Sequence, residues 1–203
     1  EDRRDAGRKL GAELKRREPG KSLTVLGIPR GGTEVGYEVA KCLDAEFSII
    51  VVHKLPFPDQ PEAGFGAIAE DGSVFINPGA AATLPSSVID TTIEQQRTEV
   101  ARRVITLRGG TDLPELRHRN VILVDDGIAM GSTARAAIMC CRNAKANRIT
   151  VAAPVASPDA VTNLESVADG VVALLSPPFF RAVAEAYRRW YDVPDAEFQG
   201  IMR

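Results

Sequence analysis

An α/β fold with a mainly parallel sheet flanked by helices is the class this sequence predicts, on three observations. Runs of branched apolar residues at Leu23–Ile28, Phe47–Val52, Val121–Val124, Ile149–Val155 and Val171–Leu175 read as strands buried on both faces. Helix-like segments at Thr33–Leu43, Ala134–Ala146 and Pro158–Ala168 alternate with them, which favours parallel pairing. The third observation is the stretch VILVDDGIAMGST, Val121–Thr133: a strand ends on two carboxylates, Asp125 and Asp126, then runs through small residues into a helix. Ligands of open α/β sheets sit outside the carboxyl ends of strands. A small-residue loop entering a helix offers N–H groups and a positive dipole end to an anion.

The 203 residues fit one domain, 1–203, and an apolar fraction of 44% can fill its core. A formal net charge of −2 gives no reason to expect a nucleic-acid partner. Within Glu1–Lys21 eight Lys/Arg face five Asp/Glu, a balance that a solvated helix face explains. Cys42, Cys140 and Cys141 lie among small apolar residues with neither metal nor disulfide spacing, as expected of a reducing, cytoplasmic compartment. No signal peptide or membrane-spanning run is visible. The chain begins with Glu, as a trimmed chain or a piece of a longer one would.

In order, Asp5–Arg17 reads as an amphipathic helix with Ala6, Leu10 and Leu14 as its buried stripe, stopped by Pro19-Gly20. Pro29–Gly32 is a tight loop, and Thr33 is the expected N-cap of the next helix. His53 and Lys54 close the second strand. The core is expected over about 21–54 and 119–176. Between them, about 55–110 reads as an inserted flexible flap. In it Leu55–Pro61, with three prolines, should be irregular and exposed, and Phe65–Ala69 and Val74–Ile76 should form a hairpin. Glu62, Glu70 and Asp71 are expected to face solvent, and Asp90–Leu107 to form a polar helix ended by Gly109-Gly110. The last segment, about 177–203, holds six of the eleven aromatic residues, so it is expected to pack as a small hood over one end of the sheet.

VILVDDGIAMGST resembles the 13-residue signature of type I phosphoribosyltransferases, which bind phosphoribosyl pyrophosphate (PRPP), and matches it by residue class at every position. Carboxylates suit ribose hydroxyls as charge-assisted acceptors. The resemblance assigns the 5′-phosphate to Gly127, Ala129, Met130, Gly131, Ser132 and Thr133, whose amides and hydroxyls suit an anion. GIPRGG, Gly27–Gly32, stands where the family keeps its pyrophosphate loop, which often holds a non-proline cis peptide. There Gly31 and Gly32 would let amides reach phosphate oxygens, and Arg30 would pair with them. Lys54 is a further implied pyrophosphate contact. GIPRGG, HKLPFP, FGAIAEDG and LRGG together resemble a group of bacterial predicted phosphoribosyltransferases over most of the chain.

The resemblance implies a Mg²⁺-dependent pentosyl transfer from PRPP to a nitrogenous acceptor, with catalytic work by Asp125, Asp126, Lys54 and Arg30 and metal support from Asp125 or Asp126. It also implies a homodimer. Trp190 or Tyr191 is available to stack on the acceptor. Two other readings stay open at this level. One is a non-catalytic PRPP- or nucleotide-binding regulator on the same fold, because Met130 stands where the family usually has a small polar residue. The other is a sugar-phosphate or nucleotide hydrolase using the acid pair, against which GIPRGG argues.

Overall fold

The computed structural model describes residues 2–17 and 22–202. The predicted Pro19-Gly20 helix stop lies outside them. The first half runs α1 (Arg3–Arg17), β1 (Leu23–Gly27), α2 (Gly31–Leu43), β2 (Glu46–Ile49), β3 (Val52–Phe57), β4 (Gln60–Ala69), β5 (Val74–Ile76), α3 (Pro78–Ala81) and α4 (Ser86–Arg108). The second half runs β6 (Asn120–Val124), α5 (Ser132–Asn143), β7 (Arg148–Val155), α6 (Pro158–Glu165), β8 (Gly170–Leu175) and α7 (Asp195–Met202). A 3₁₀ turn, Val183–Ala186, lies between β8 and α7.

Five strands form a parallel sheet in the order β2-β1-β6-β7-β8, as the alternation of strands and helices predicts. Successive side chains of each strand point to opposite faces, so each face collects its own core. Val25, Ile122, Val124 and Ala152 pack with Leu10 and Leu14 of α1 and Val35 and Val39 of α2. On the other face Leu26, Leu123, Val151 and Ala153 pack with the small residues of α5 and with Leu164 of α6. Both faces are therefore covered, which accounts for the uninterrupted apolar run Val121–Val124 of β6 and for the burial of every residue of β1.

The single strand predicted at Phe47–Val52 is two strands. β2 ends at Ile49, and the chain leaves the parallel sheet at Ile50 and Val51 to enter a second, antiparallel sheet, β3-β4-β5. The Val51 amide at this break donates to Glu70 Oε1 at 2.8 Å. Residues 49–52 are buried throughout, so hydropathy carries no trace of the exit. The proline-rich Leu55–Pro61 is likewise not irregular: it makes the end of β3, the turn and the start of β4. The register shifts on both sides of Pro56, a bulge that accommodates a residue with no amide to donate.

Helix ends also move. Thr33 is not an N-cap: α2 starts at Gly31 with Arg30 as its cap residue, and Thr33 is buried in its first turn. α4 starts at Ser86 rather than Asp90, and ends on Gly109 in the left-handed region as expected. Glu70 does not face solvent but forms a buried ion pair with Arg108. The inserted segment has its own core, in which Leu55, Phe65 and Ile68 meet Val100 and Leu107 of α4 and Phe198 of α7.

Candidate functional site

From β1 the chain steps outward to β2, and from β6 it steps outward the opposite way to β7 and β8. The reversal falls between β1 and β6, with Gly27 opposite Val124 at the carboxyl ends. Loops that follow strands at such a reversal diverge and leave a crevice for ligand. Here those loops are the two predicted from sequence, GIPRGG after β1 and DDGIAMGST after β6.

They are in close contact. Ile28 N donates to Val124 O at 2.8 Å. A Cβ on Gly32 would stand 2.6 Å from Val124 O and 2.9 Å from Asp125 Cα, and one on Gly31 would stand 1.7 Å from Asp126 Oδ2. Any side chain at these positions would push the loops apart. The Pro29–Arg30 peptide is cis, as the resemblance implies.

Asp125 and Asp126 leave the end of β6 differently anchored. Asp125 N donates to Ala152 O at 3.2 Å, and Asp126 N donates to Asp125 Oδ1 at 2.8 Å. Burial, and then the neighbouring charge of Asp126, pushes the Asp125 carboxyl well above the usual carboxylate range. Asp126 Oδ2 accepts from Arg3 Nε at 2.8 Å, and its carbonyl accepts from the Tyr187 hydroxyl at 2.5 Å.

The rest of the second loop leads into α5. Gly131, with φ of 79°, is the cap residue; it has no side chain to give the first amides of the helix, which lack acceptors within it. Ser157 Oγ holds the loop from the α6 side by donating to Ala129 O at 2.6 Å. Ser132 and Thr133 are half-buried in the first turn, while Met130 is 57% exposed. A small anion would meet backbone amides and two hydroxyls there.

Residues 3–184 match the family model described as a phosphoribosyl transferase domain. The chain belongs to the type I phosphoribosyltransferase family. "Putative phosphoribosyl transferase Rv0571c" of Mycobacterium tuberculosis H37Rv and "Putative phosphoribosyl transferase MT0597" of strain CDC 1551 are each 41% identical to it over 199 residues. The match takes in 97% of this chain but 45% of each relative, so the chain spans about half the length of the curated relatives it matches. The crystal structure of TT1426 from Thermus thermophilus superimposes with a TM-score of 0.82 at 35% identity, over 99% of this chain and 96% of that one.

Other predicted site residues of this phosphoribosyltransferase domain sit farther out. Arg30 is exposed, donates to Val193 O at 3.3 Å and faces the Phe198 ring at 5.7 Å. With Arg102, Arg103 and Gln199 it lines a cavity of about 300 Å³. Lys54 lies in β3 opposite Ala67, and its ammonium donates to Glu62 O at 2.8 Å, within the hairpin. Trp190 and Tyr191, either of which was available to stack on an acceptor, are not on a helix. Trp190 lies under the Arg3 guanidinium, and the Tyr191 hydroxyl donates to Glu34 Oε1 at 3.2 Å. Phe179 and Phe180 instead line a cavity of about 410 Å³ with Val155, Leu175 and Arg181, at the carboxyl ends of β7 and β8.

Three residues at the acid pair are absent from the sequence-based set: Arg3, Glu34 and Tyr187. Arg3 was legible in principle. The buried stripe of α1 is Arg3, Gly7, Leu10, Gly11 and Leu14, so Gly7 rather than Ala6 faces inward and Arg3 continues the same face by one turn. Glu34 is 1% exposed in α2, and burial, then the neighbouring Glu197, pushes its carboxyl up. Nothing local marks Tyr187, because its role depends on where the tail folds back.

Proposed function

We propose that this domain is a Mg²⁺-dependent phosphoribosyltransferase that moves the 5-phosphoribosyl group of PRPP to a nitrogen of a small acceptor and releases pyrophosphate. The observation that carries this is the meeting, at the β1/β6 reversal, of a glycine-rich loop with an acid pair that runs into an uncapped helix start. One ligand with two phosphate groups flanking a polyol matches that order of chemistries.

The residue roles follow from charge. Amides and hydroxyls from Gly127 to Thr133 hold the 5′-phosphate. Asp125 and Asp126 accept from the ribose hydroxyls and stabilise positive charge as it develops at the anomeric carbon. The amides of Gly31 and Gly32, with Arg30, bind the leaving pyrophosphate, and Lys54 joins them by exchanging its Glu62 contact. The inserted segment excludes water, which would otherwise capture the cation-like carbon. The cavity at Phe179 and Phe180 is within the size range of ligand pockets and is our candidate for the acceptor.

Among the described residues no group of three or more His, Cys, Asp and Glu side chains is placed to hold a metal. Two adjacent carboxylates, one already paired with arginine, fit an ion held mainly by substrate oxygens, as Mg²⁺ commonly is, with Asp125 or Asp126 in support. So bound, Mg²⁺ supplies neutralising charge for the pyrophosphate.

Calorimetry with PRPP and Mg²⁺, followed by pyrophosphate release across purine, pyrimidine and pyridine acceptors, tests the proposal. No binding at millimolar PRPP overturns it. Binding without release on any acceptor favours the second reading, a PRPP- or nucleotide-responsive regulator. The exposed thioether of Met130 in the phosphate cradle is what supports that reading.

A further inference from the structure

Arg3 stands where three parts of the molecule meet. From the first turn of α1 its Nε donates to Asp126 Oδ2 at 2.8 Å, and its Nη1 donates to the Tyr191 carbonyl at 2.6 Å. Its guanidinium lies 4.1 Å from the centre of the Trp190 ring and 5.7 Å from that of Tyr191. Glu34 Oε2, buried and without a hydrogen-bond partner among the described residues, is 3.9 Å from Nη1. A Cβ on Gly31 would come within 2.8 Å of Arg3 Nε, so a side chain there would meet the guanidinium as well as Asp126. At 4% exposure Arg3 is far more buried than an arginine normally is.

We propose that Arg3 is a positioning residue for the ribose-binding acid: it pins one oxygen of Asp126 so that the other is presented to the sugar hydroxyls, and it ties the C-terminal segment to that acid. This rests on the PRPP reading above. An aspartate carboxylate turns broadly about its last bond. A charge-assisted bond to Oδ2 removes that freedom and leaves Oδ1 as an acceptor. Arginine suits the task because its planar fork serves two acceptors in fixed directions, Asp126 through Nε and Tyr191 through Nη1, while its face stacks on Trp190. A lysine ammonium would keep the first contact and lose the other two.

The test is selective binding. PRPP, ribose 5-phosphate and inorganic pyrophosphate, each with Mg²⁺, are titrated into the wild-type chain, Arg3→Ala and Arg3→Lys. Arg3→Ala is expected to weaken PRPP and ribose 5-phosphate about 10- to 100-fold, the equivalent of one charged hydrogen bond, and to leave pyrophosphate within about twofold. Arg3→Lys is expected to recover part of the loss. A purely structural arginine would weaken all three ligands alike or none, and either result overturns the proposal. If Arg3→Ala does not fold, Arg3→Lys carries the same comparison: a loss confined to the two ribose ligands supports the role, and equal losses or none overturn it. A wild-type chain that binds no PRPP overturns the underlying reading. A wild-type chain that binds PRPP as tightly as both variants overturns the role of Arg3 alone.

Discussion

Arg108, the last residue of α4, reaches back to Glu70, the residue after β4, and forms an ion pair with side chains only 5% and 8% exposed. The same arginine donates to Ile49 O at 2.9 Å, and Glu70 also accepts from Val51 N, so the pair fastens the point where the chain leaves the parallel sheet. Removing one partner leaves a buried, uncompensated charge. Arg108→Met is therefore expected to lower unfolding free energy by about 3–5 kcal/mol, and Arg108→Met/Glu70→Leu by clearly less. Urea denaturation of both variants checks this; equal losses would show that the carboxylate is not stranded.

Gly31→Ala should be more damaging than an added methyl group usually is. Its Cβ would overlap Asp126 Oδ2, so the acid or the loop must move. PRPP affinity is expected to fall at least tenfold, while the apolar α1–α2 contact of Leu10 and Leu14 with Val35 and Val39, beyond the first turns where the clash falls, keeps the chain folded. Calorimetry beside circular dichroism separates the two effects; unchanged affinity would exclude close apposition of the loops in solution.

Met130→Thr is expected to tighten PRPP binding by up to about tenfold, the worth of one hydroxyl donated to a charged phosphate. Unchanged affinity would place residue 130 outside the cradle.

His53 gives a pH signature. Burial, and then the nearby positive charge of Arg103, lowers its pKa below the ordinary 6.5. Above that value the imidazole is neutral in both states and its contribution to stability is fully present. As pH falls, the unfolded chain takes up the proton first, so this stability drains away through the depressed folded-state pKa. The wild-type unfolding free energy should thus fall relative to His53→Gln below pH 6.5, by at most about 1.4 kcal/mol per pH unit. Parallel profiles for the two proteins would refute it.

The parallel core and the two loops that meet at the β1/β6 crevice were legible in the sequence because each is a local pattern: an apolar run, a glycine pair, an acid pair at a strand end. The split after Ile49 was not, since Ile49 to Val52 is buried on both sides of the break and hydropathy is continuous through it. The LPFPDQP hairpin was misread because proline argues against a strand only until a bulge absorbs it. Glu70 looked like a turn residue, and only its partner 38 positions later makes it a buried one. Arg3 was hidden by its company, one of several arginines in a charged helix, although its helical phase sets it on the buried face.

The pairing of β1 with β6 has a consequence for how the molecule forms. Leu23 meets Asn120 only across the whole insertion, α4 included, and the apposition of the GIPRGG and DDGIAMGST loops depends on that junction. Closing so long a stretch of chain is entropically slow, whereas β1 with β2 and β6 with β7 and β8 are joined by short crossovers. The two half-sheets are thus expected to collapse separately and the crevice to be assembled last. A folding intermediate would then carry native-like helix content with no affinity for phosphate, and the appearance of ligand binding during refolding would report the final docking of the two halves.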